Sequence, residues 1–391
     1  MKNLPLKSFR LKNFKAVKDS GTIKFTPLTV FIGNNGSGKS SLIEGLETFQ
    51  NIVTHDLDYA MQQWKGIEHI LNKKNSKNTN YMKFNLKGDF SKNFSNNKRE
   101  FIAEMIIGSK KTFDDFFIQK EIIKITSKDS DEINLLREFN NLEPMNFAKI
   151  TFNNKLSQIE IPSSLSLFSI THPEITKNSI NLWQFLNLSP ESMGNPNPQN
   201  RTSGYIKLNK NGSNISQYLH DLRNKNKISF EGIIDSLKYV LPYAKDLQPK
   251  ITSEIERAVY LELTEENFKV PSWLFSTGTL RILALLAVLR NPVKHPIVVI
   301  EEIENGLDPR TINFILEEIR IATESGTQVI LTTHSPYLLD LIPLEYIIFV
   351  ERYEGETIFT RPNDIESLKK RSEAFNPGEL YTMSKFGKGN Y

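Results

Sequence analysis

The residues from position 33 to 41 have the types and spacing needed to hold a chain of phosphates. They begin with a full match to the pattern Gly-x-x-x-x-Gly-Lys-Ser. Glycines let backbone N–H groups approach an anion closely, and a following helix N-terminus attracts negative charge. In such loops the lysine reaches the β- and γ-phosphates, and the serine hydroxyl binds Mg²⁺. A glycine-rich turn that binds nothing is the alternative. The expected ligands are ATP and Mg²⁺, held by Gly33, Asn34, Asn35, Gly36, Ser37, Gly38, Lys39, Ser40 and Ser41, with Ser40 also a metal ligand.

Two carboxylates and a histidine provide a second set of candidate residues. Hydrolysis of a γ-phosphate requires a metal that neutralises charge, a group that orients water and a group that contacts the phosphate. The hydrophobic run 296–300 ends in Glu301 and Glu302, which supply the first two requirements. The run 328–333 ends in His334, which we interpret as a phosphate sensor, although a lone core histidine would give the same pattern.

The elements around these residues alternate between strand and helix. Residues 28–32 form a buried-strand pattern before the loop, and residues 40–49 form an amphipathic helix pattern after it. Apolar helices are expected at 280–289 and 312–323, between the strand runs named above. This alternation predicts a parallel sheet covered on both faces, with ligands at the carboxyl ends of its strands. We therefore expect Gly33, Glu302 and His334 to lie together.

The middle of the chain has a different pattern. Strand runs at 81–90, 100–107, 116–125 and 148–161 predict a mostly antiparallel β subdomain. Residues 163–188 are ambiguous, and the proline- and glycine-containing stretch 189–204 is expected to be a loop. Two helices are predicted after it, one capped at Ser213 or Asn214 and one following Ser229.

Two features of this region have open interpretations. Gln62 and Gln63 are candidates for a Mg²⁺ contact, or they belong to a solvated helix face. The segment Lys73–Arg99 is rich in lysine and would suit a nucleic-acid phosphate backbone. It fits equally well as a set of Asn/Lys-rich loops between strands. Its basic residues are Lys73, Lys74, Lys77, Lys83, Lys87, Lys92, Lys98 and Arg99.

Composition limits the class of protein. The chain has 391 residues, 39% hydrophobic and 24% charged, which predicts a globular protein of two or three domains. No cysteine is present, so disulfides and thiolate metal sites are excluded. The net charge of +4 does not by itself imply nucleic acid. Neither a signal peptide nor a membrane-spanning run is recognised, and we expect a cytoplasmic protein.

The motifs together resemble a known group of proteins. The order of the phosphate loop, Ser276-Thr277-Gly278-Thr279, residues 297–302, residues 305–309 and His334 resembles an ATP-binding-cassette ATPase head. Residues 276–281 and 300–307 are more closely similar to the stand-alone AAA-21/AAA-15 ATPases, which are related to RecF, to SMC heads and to the ATPase half of OLD nucleases. The stretches 211–215 and 377–381 also resemble that group.

The resemblance implies a fold and a division into parts. The fold class is α/β, an ATP-binding-cassette-type P-loop NTPase head with a mostly parallel core sheet, an antiparallel β subdomain and a helical insertion. The expected ATPase core is discontinuous and comprises residues 1–55 and 251–391. The β subdomain would comprise residues 56–165, and residues 166–250 would form a loop-rich, helical insertion.

The resemblance also implies that two heads enclose two ATP molecules. Ser276, Gly278 and Thr279 would then contact the γ-phosphate bound to the partner's phosphate loop. Glu301 would support Mg²⁺, and the sequence has glutamate there where aspartate is more usual. Because the longer glutamate would reach the metal through water differently, slow turnover is expected. Ile303 replaces a common proline, and the signature around Ser276 is divergent. The remaining implied roles are water activation by Glu302, γ-phosphate contact by His334 and coupling across the dimer interface by Asp308.

These expectations lead to a first functional hypothesis and several alternatives. The first is an ATP-driven dimerising switch that controls a separately encoded nuclease or toxin, as in antiphage systems. Only about 55 residues follow His334, fewer than the extra nuclease domain of OLD proteins would need. The alternatives are a RecF-like DNA-binding ATPase in repair, an energy subunit of a transporter, and a nucleotide-dependent scaffold.

Overall fold

A computed structural model describes residues 4–74, 81–90, 99–109, 116–127, 133–138, 147–152, 155–171, 173–199, 204, 206–253, 255–291, 295–372, 374–384 and 386. The chain forms two compact units, the first made of residues 1–183 and 342–391 and the second of residues 184–341. The strands are β1 (Ser8–Phe14), β2 (Val17–Asp19), β3 (Ile23–Lys24), β4 (Leu28–Ile32), β5 (Tyr81–Phe90), β6 (Arg99–Ser109), β7 (Phe116–Ser127), β8 (Ile133–Glu138), β9 (Phe147–Phe152), β10 (Lys155–Glu160), β11 (Gln184–Leu186), β12 (Asn197–Pro198), β13 (Ala244–Ile251), β14 (Ala258–Glu265), β15 (Phe268–Pro271), β16 (Ile297–Ile300), β17 (Gln328–Thr333), β18 (Ile347–Tyr353) and β19 (Glu356–Thr360). The helices are α1 (Lys39–Thr54), α2 (Leu57–Gln62), α3 (Leu167–Thr171), α4 (Pro173–Asn178), α5 (Pro190–Met193), α6 (Ile215–Lys225), α7 (Lys227–Val240), α8 (Thr277–Leu289), α9 (Pro309–Glu324), α10 (Pro336–Asp340), α11 (Glu366–Arg371) and α12 (Pro377–Thr382).

The first unit contains a long antiparallel sheet. Its strand order is β10-β9-β8-β7-β6-β5-β1-β2, with β3 paired to β1. Buried and less buried residues alternate along β5, so one face of that strand points into the core. Helix α1 packs on this face, with the rings of Phe49 and Phe84 6.2 Å apart. The sheet and the helix therefore bury a common aromatic core.

The phosphate loop of the first unit follows a buried strand. All five residues of β4 are buried, and β4 pairs in parallel with β18. β18 continues into an antiparallel pair with β19. A strand buried on both faces needs a continuous apolar run, and Leu28–Ile32 supplies one.

The second unit contains a parallel set of strands and a smaller antiparallel sheet. β16 pairs in parallel with both β11 and β17, and every residue of β16 and β17 is buried. Helix α8 is buried along most of its length, whereas α9 buries one side only. The smaller sheet has the order β12-β14-β13, with β15 paired to β14.

Most of the predicted elements are confirmed. The runs 28–32, 81–90 and 328–333 form β4, β5 and β17 with the predicted bounds. The run 148–161 contains β9 and β10, which pair antiparallel, although residues 153–154 lie outside the described part. The stretch 189–204 includes α5 and β12 as well as loop. The three-part division of the chain stays a prediction.

Helix α7 begins earlier than predicted, and the strands that were not predicted include β11 and β13. Helix α7 begins at Lys227, before Ser229, because the Asn226 side chain accepts a hydrogen bond from the Ser229 backbone N–H and caps the helix. β11 lies in the stretch that was left ambiguous. β13 lies inside the region expected to be helical, where it pairs with β14.

Candidate active site

The phosphate loop lies between β4 and α1 in the first unit. Gly36 and Gly38 have φ values of 73° and 109°, a left-handed region that side-chain-bearing residues rarely adopt. Gly33 is required for a different reason. A Cβ atom at this position would lie 1.9 Å from the carbonyl oxygen of Val350. The glycines of the motif therefore allow both the turn and the close approach of β18.

We expect Gly33→Ala to be much more destabilising than Gly36→Ala. The first change forces a backbone shift against Val350 and should cost more than about 3 kcal/mol of unfolding free energy, the upper end for overpacking. The second meets nothing within 4 Å, so only its left-handed φ opposes it, at roughly 1–2 kcal/mol. Urea denaturation of both variants measures the difference. Equal losses would contradict the close packing of Gly33.

Lys39 lies over the loop. It is 6% exposed, and its Nζ donates to the carbonyl oxygens of Gly33 at 2.6 Å and Asn34 at 3.1 Å. Among the described residues the buried Oγ of Ser37 has no hydrogen-bond partner. Phosphate oxygens would supply acceptors for both groups, so the loop fits a polyphosphate. Ser40 is exposed at the first turn of α1, where its hydroxyl is available as a Mg²⁺ ligand.

The C-terminal segment also contacts the loop, a feature that the sequence did not indicate. The Tyr381 hydroxyl lies 3.2 Å from Oδ1 of Asn34 and donates to it. Phe386 and Leu380 are buried, and the rings of Phe349 and Phe386 are 5.7 Å apart. Helix α12 is thereby held against β18, next to the loop. A contact between residues so far apart in the chain leaves no local sequence signal.

Glu301 and Glu302 follow β16 in the second unit and differ in environment. Glu301 is 5% exposed, its backbone N–H donates to the Leu186 carbonyl, and its Oε1 lies 3.7 Å from Nζ of Lys210. Glu302 is exposed, and its φ of 48° is unusual for a residue with a side chain. A carboxylate oxygen at a strand end can bind a metal ion, and an exposed carboxylate beside it can contact water.

The backbone of Glu302 is held in its left-handed conformation by neighbours. Its N–H donates to Oγ1 of Thr332 at 2.9 Å, and its Oε2 accepts from Nδ2 of Asn305 at 2.5 Å. The side chain is therefore fixed at the end of the strand. Backbone strain of this kind, maintained by surrounding contacts, is common at functional sites.

His334 is linked to the same turn through Glu304. The backbone N–H of His334 donates to Oε1 of Glu304 at 2.5 Å, and Oε2 of Glu304 is buried without a hydrogen-bond partner in the described part of the chain. Glu304 thus connects the ends of β16 and β17. Glu304 was not among the predicted site residues, although three of the four residues 301–304 are glutamates.

The signature residues form the N-terminus of α8. Ser276 caps this helix, with its Oγ accepting from the backbone N–H of Thr279 at 3.0 Å, and it is exposed. A Cβ at Gly278 would lie 2.9 Å from the carbonyl oxygen of Gly306. The start of α8 is therefore packed against the turn that follows the two carboxylates. An exposed, capped helix N-terminus can accept an anion.

Arg281 links α8 to the turn that contains Glu301 and Glu302. It is 7% exposed, and its two Nη atoms donate to the carbonyl oxygens of Leu188 and Glu302 at 3.4 and 3.3 Å. Burial lowers the pKa of this guanidinium from its ordinary value, although the charges of Glu302 and Glu304 act in the opposite direction. Arg281 positions the backbone of Glu302, a role that its place in the motif did not reveal.

Asp308 has a visible role as the N-cap of α9. Its carboxylate accepts from the backbone N–H groups of Arg310 and Thr311 and from the Thr311 hydroxyl, which is 2.6 Å away. These bonds, led by that of the Thr311 hydroxyl, lower the pKa of the Asp308 carboxyl. The coupling role across a dimer interface stays a prediction, since the capping bonds account for the conformation seen.

The structure places two further predicted features. The side chains of Gln62 and Gln63 are exposed at the end of α2. In the lysine-rich segment, Lys83 and Lys87 pair with Glu104 at 2.8 Å and Glu100 at 3.2 Å, so their charges are partly offset. Lys73, Lys74 and Arg99 are also described, whereas Lys77, Lys92 and Lys98 lie outside the described residues.

Each unit thus holds one group of candidate residues. The first unit carries the phosphate loop with Lys39 and Ser40, and the second carries the signature, both carboxylates, Asp308 and His334. Within the described residues, no cluster of three or more His, Cys, Asp or Glu side chains could hold a metal alone. Mg²⁺ usually keeps several waters and binds through one or two carboxylates plus nucleotide phosphates, so it needs no such cluster.

The chain belongs to the family described as "AAA domain, putative AbiEii toxin, Type IV TA system", whose model matches residues 28–340. A search of the curated proteins finds no match. An SMC head bound to the C-winged helix domain of ScpA is similar, with 13% identity, a TM-score of 0.53 and coverage of 91% of this chain and 97% of that one. This similarity shows that the fold is that of an ATP-binding-cassette-type head, as predicted.

Two other solved structures align over similar lengths. The SMC head domain from Thermotoga maritima is 14% identical, with a TM-score of 0.40 and coverage of 91% of this chain and 98% of that one. The Smc head domain with an extended coiled coil bound to the C-terminal domain of ScpA, derived from Pyrococcus furiosus, is 13% identical. Its TM-score is 0.48, and it covers 94% of this chain and 99% of its own. In the described residues no helix of this chain is long and apolar enough to cross a membrane.

Proposed function

We propose that the protein is an ATPase that dimerises head to head on ATP, hydrolyses it slowly and controls a separately encoded effector. The observation that carries the ATPase assignment is Glu302, an exposed carboxylate held at φ 48° at the end of a fully buried strand. Family membership and the matching phosphate loop support the same conclusion. Release of phosphate from ATP by the purified protein, and its absence in Glu302→Gln, test it.

Each candidate residue has a defined task in this proposal. Lys39 and the loop backbone bind the β- and γ-phosphates, and Ser40 and Glu301 are each proposed as Mg²⁺ ligands. When bound, Mg²⁺ neutralises charge that develops on the phosphate oxygens. Glu302 accepts the proton of the attacking water, and His334 donates a hydrogen bond to the γ-phosphate. Both tasks need groups at strand ends, where these two residues lie.

The dimer is proposed because the signature presents an exposed anion site. Ser276 and Thr277 are exposed at the N-terminus of α8, a helix of 13 residues. A γ-phosphate bound to the loop of a second copy would complete this site, with Ser276, Gly278 and Thr279 as contacts. Asp308, exposed at the start of α9, would then couple the two copies.

Mixing two inactive variants tests the shared site. Lys39→Ala removes phosphate binding, and Ser276→Arg fills the signature, so neither variant alone should hydrolyse ATP. A mixed dimer keeps one intact loop facing one intact signature. Random pairing should therefore restore about one quarter of the wild-type turnover per subunit, because half of the dimers carry one complete site.

The control for this experiment is each variant measured alone at the same total concentration. Size-exclusion chromatography should first show that both variants fold. Absence of any recovery in the mixture would contradict the shared site, while leaving ATP binding by the loop untouched.

The effector is proposed to be a nuclease or toxin encoded beside this chain, in antiphage defence. The family description, which names a putative toxin of a type IV toxin–antitoxin system, supports an association with such systems. Co-expression with the neighbouring open reading frame, followed by affinity purification with and without ATP, tests this. Retention of no neighbouring product under either condition would contradict it.

A RecF-like DNA-binding ATPase is the second candidate function. The lysine-rich segment favours it, although Lys83 and Lys87 are paired with glutamates. Binding through phosphates would weaken steeply as salt increases. A DNA-binding titration at several salt concentrations separates the two candidates, since absence of binding at low salt would remove this one.

A further inference from the structure

Lys210 lies beside the carboxylate assigned to Mg²⁺. Its Nζ is 3.7 Å from Oε1 of Glu301, and the Glu301 side chain is only 6% exposed, against 35% for Lys210. A buried carboxylate is stable when a cation compensates its charge. The chain itself therefore supplies a cation to a group that the proposed function assigns to a metal.

The backbone around Lys210 is fixed by hydrogen bonds to the end of β11. The carbonyl oxygens of Lys210 and Asn211 accept from the backbone N–H groups of Asn187 and Ser189 at 2.8 and 3.0 Å. The next residue, Gly212, has a φ of 76°, which allows the turn. Lys210 is thus placed at Glu301 by the fold.

Side-chain amides reinforce the same segment. Nε2 of Gln184, a residue of β11, donates to the Leu208 carbonyl at 3.0 Å. Oδ1 of Asn214 accepts from the Asn209 backbone N–H at 2.8 Å, and its Nδ2 donates to the Lys207 carbonyl at 2.9 Å. Hydrogen bonds therefore fix the backbone of the segment 206–214, and this holds the ammonium group of Lys210 beside Glu301.

We propose that Lys210 is a positioning residue that serves as the internal counter-ion of Glu301 and competes with Mg²⁺ for it. Two cations next to one carboxylate repel each other, so binding of Mg²⁺ displaces Lys210 from Glu301. Without metal, Lys210 offsets the charge of the buried carboxylate and holds it in place. Mg²⁺ binding is thereby coupled to the segment 206–214. This inference rests on the proposed function, since it takes Glu301 as the metal ligand.

The test compares binding of a non-hydrolysable ATP analogue in EDTA and in Mg²⁺. The quantity measured is the factor by which Mg²⁺ tightens the analogue's Kd. In Lys210→Met the charge of Glu301 loses the compensation by Lys210 in EDTA, and Lys210 no longer competes with Mg²⁺ when the metal is present. The factor should therefore increase at least about fivefold over wild type, within the usual range of coupling between ligands.

Control variants make the experiment specific. Lys210→Arg retains the charge and should keep the wild-type factor, as should Lys207→Met, which removes an exposed lysine from the same segment. If Lys210→Met does not fold, Lys210→Gln removes the charge but keeps a hydrogen-bonding group. Thermal unfolding in EDTA provides a second readout, because the neutral variants should unfold at lower temperature than Lys210→Arg.

The outcomes separate this inference from the proposed function. If Mg²⁺ tightens the Kd of the analogue by the same factor as in wild type, or by a smaller one, in the neutral variants, the proposed role of Lys210 is overturned. The same holds if Lys210 contacts phosphate directly, in which case its loss weakens binding both in EDTA and in Mg²⁺. Failure of the wild-type protein to bind the analogue, with or without Mg²⁺, would instead overturn the proposed function.

Discussion

Glu302→Gln should bind ATP as the wild-type protein does and lose nearly all turnover. Glutamine has the same shape and can still accept a hydrogen bond from Asn305, so the turn after β16 should remain intact. It cannot accept a proton from water. Loss of a general base lowers turnover by about 10²–10⁴-fold. Phosphate release under single-turnover conditions, together with equilibrium binding of ATP, measures both effects.

Glu317→Gln is the matched control for this variant. Glu317 is exposed on α9, where it pairs with Arg320 away from the strand ends. Its replacement should leave both ATP binding and turnover unchanged. Hydrolysis by Glu302→Gln at the wild-type rate would show that Glu302 is not the base and would leave the phosphate loop assignment standing.

Lys39→Ala should abolish ATP binding at working concentrations. In the ligand-free protein the ammonium bonds to two loop carbonyls, and a triphosphate offers it stronger, charged acceptors. A hydrogen bond to a charged group contributes roughly 1.5–3 kcal/mol, and Lys39 should make at least two such bonds. The Kd for ATP should therefore increase about 100-fold or more, as measured by titration with a fluorescent ATP analogue.

Lys24→Ala controls for general loss of positive charge in the first unit. Lys24 is exposed on β3, so its removal should leave the Kd unchanged. Thermal unfolding of Lys39→Ala should show that the fold persists, because β4 and α1 are held by apolar contacts on both sides of the loop. Retained tight binding of ATP would contradict the assignment of the loop.

The sequence predicted those elements whose own residues show a pattern of burial or of backbone conformation. The apolar run 28–32 and the alternation in 81–90 gave strands with the observed bounds, since burial on two faces or on one dictates those patterns. The same holds for the phosphate loop, where the positive φ of Gly36 and Gly38 demands glycine. Such features depend on nearest neighbours in the chain.

Other elements depend on partners that are distant in sequence. β11 has three residues, and it is a strand because β16, more than a hundred residues later, pairs with it. β13 contains Pro249 and charged residues, which weaken the strand pattern, yet β14 pairs with it along its length. Neither strand can be recognised from its own residues.

In the candidate site, too, some features could be predicted from the sequence and others could not. The motif residues Lys39, Glu302 and His334 were identified by type and spacing, although their roles stay predictions. The contacts that position them were not. Arg281 holds the Glu302 carbonyl, Glu304 holds the His334 backbone, and Lys210 pairs with Glu301. These contacts arise only when strands and helices are assembled, so they leave no periodic signal in the sequence.

ATP-dependent dimerisation is tested most directly by the mass of Glu302→Gln in solution with and without ATP and Mg²⁺. We expect a particle of 44.9 kDa without nucleotide and one of twice that mass with ATP, measured by light scattering after size-exclusion chromatography. Because hydrolysis is blocked in this variant, the dimer should persist. A mass of 44.9 kDa with ATP demonstrably bound would contradict the ATP-dependent dimer.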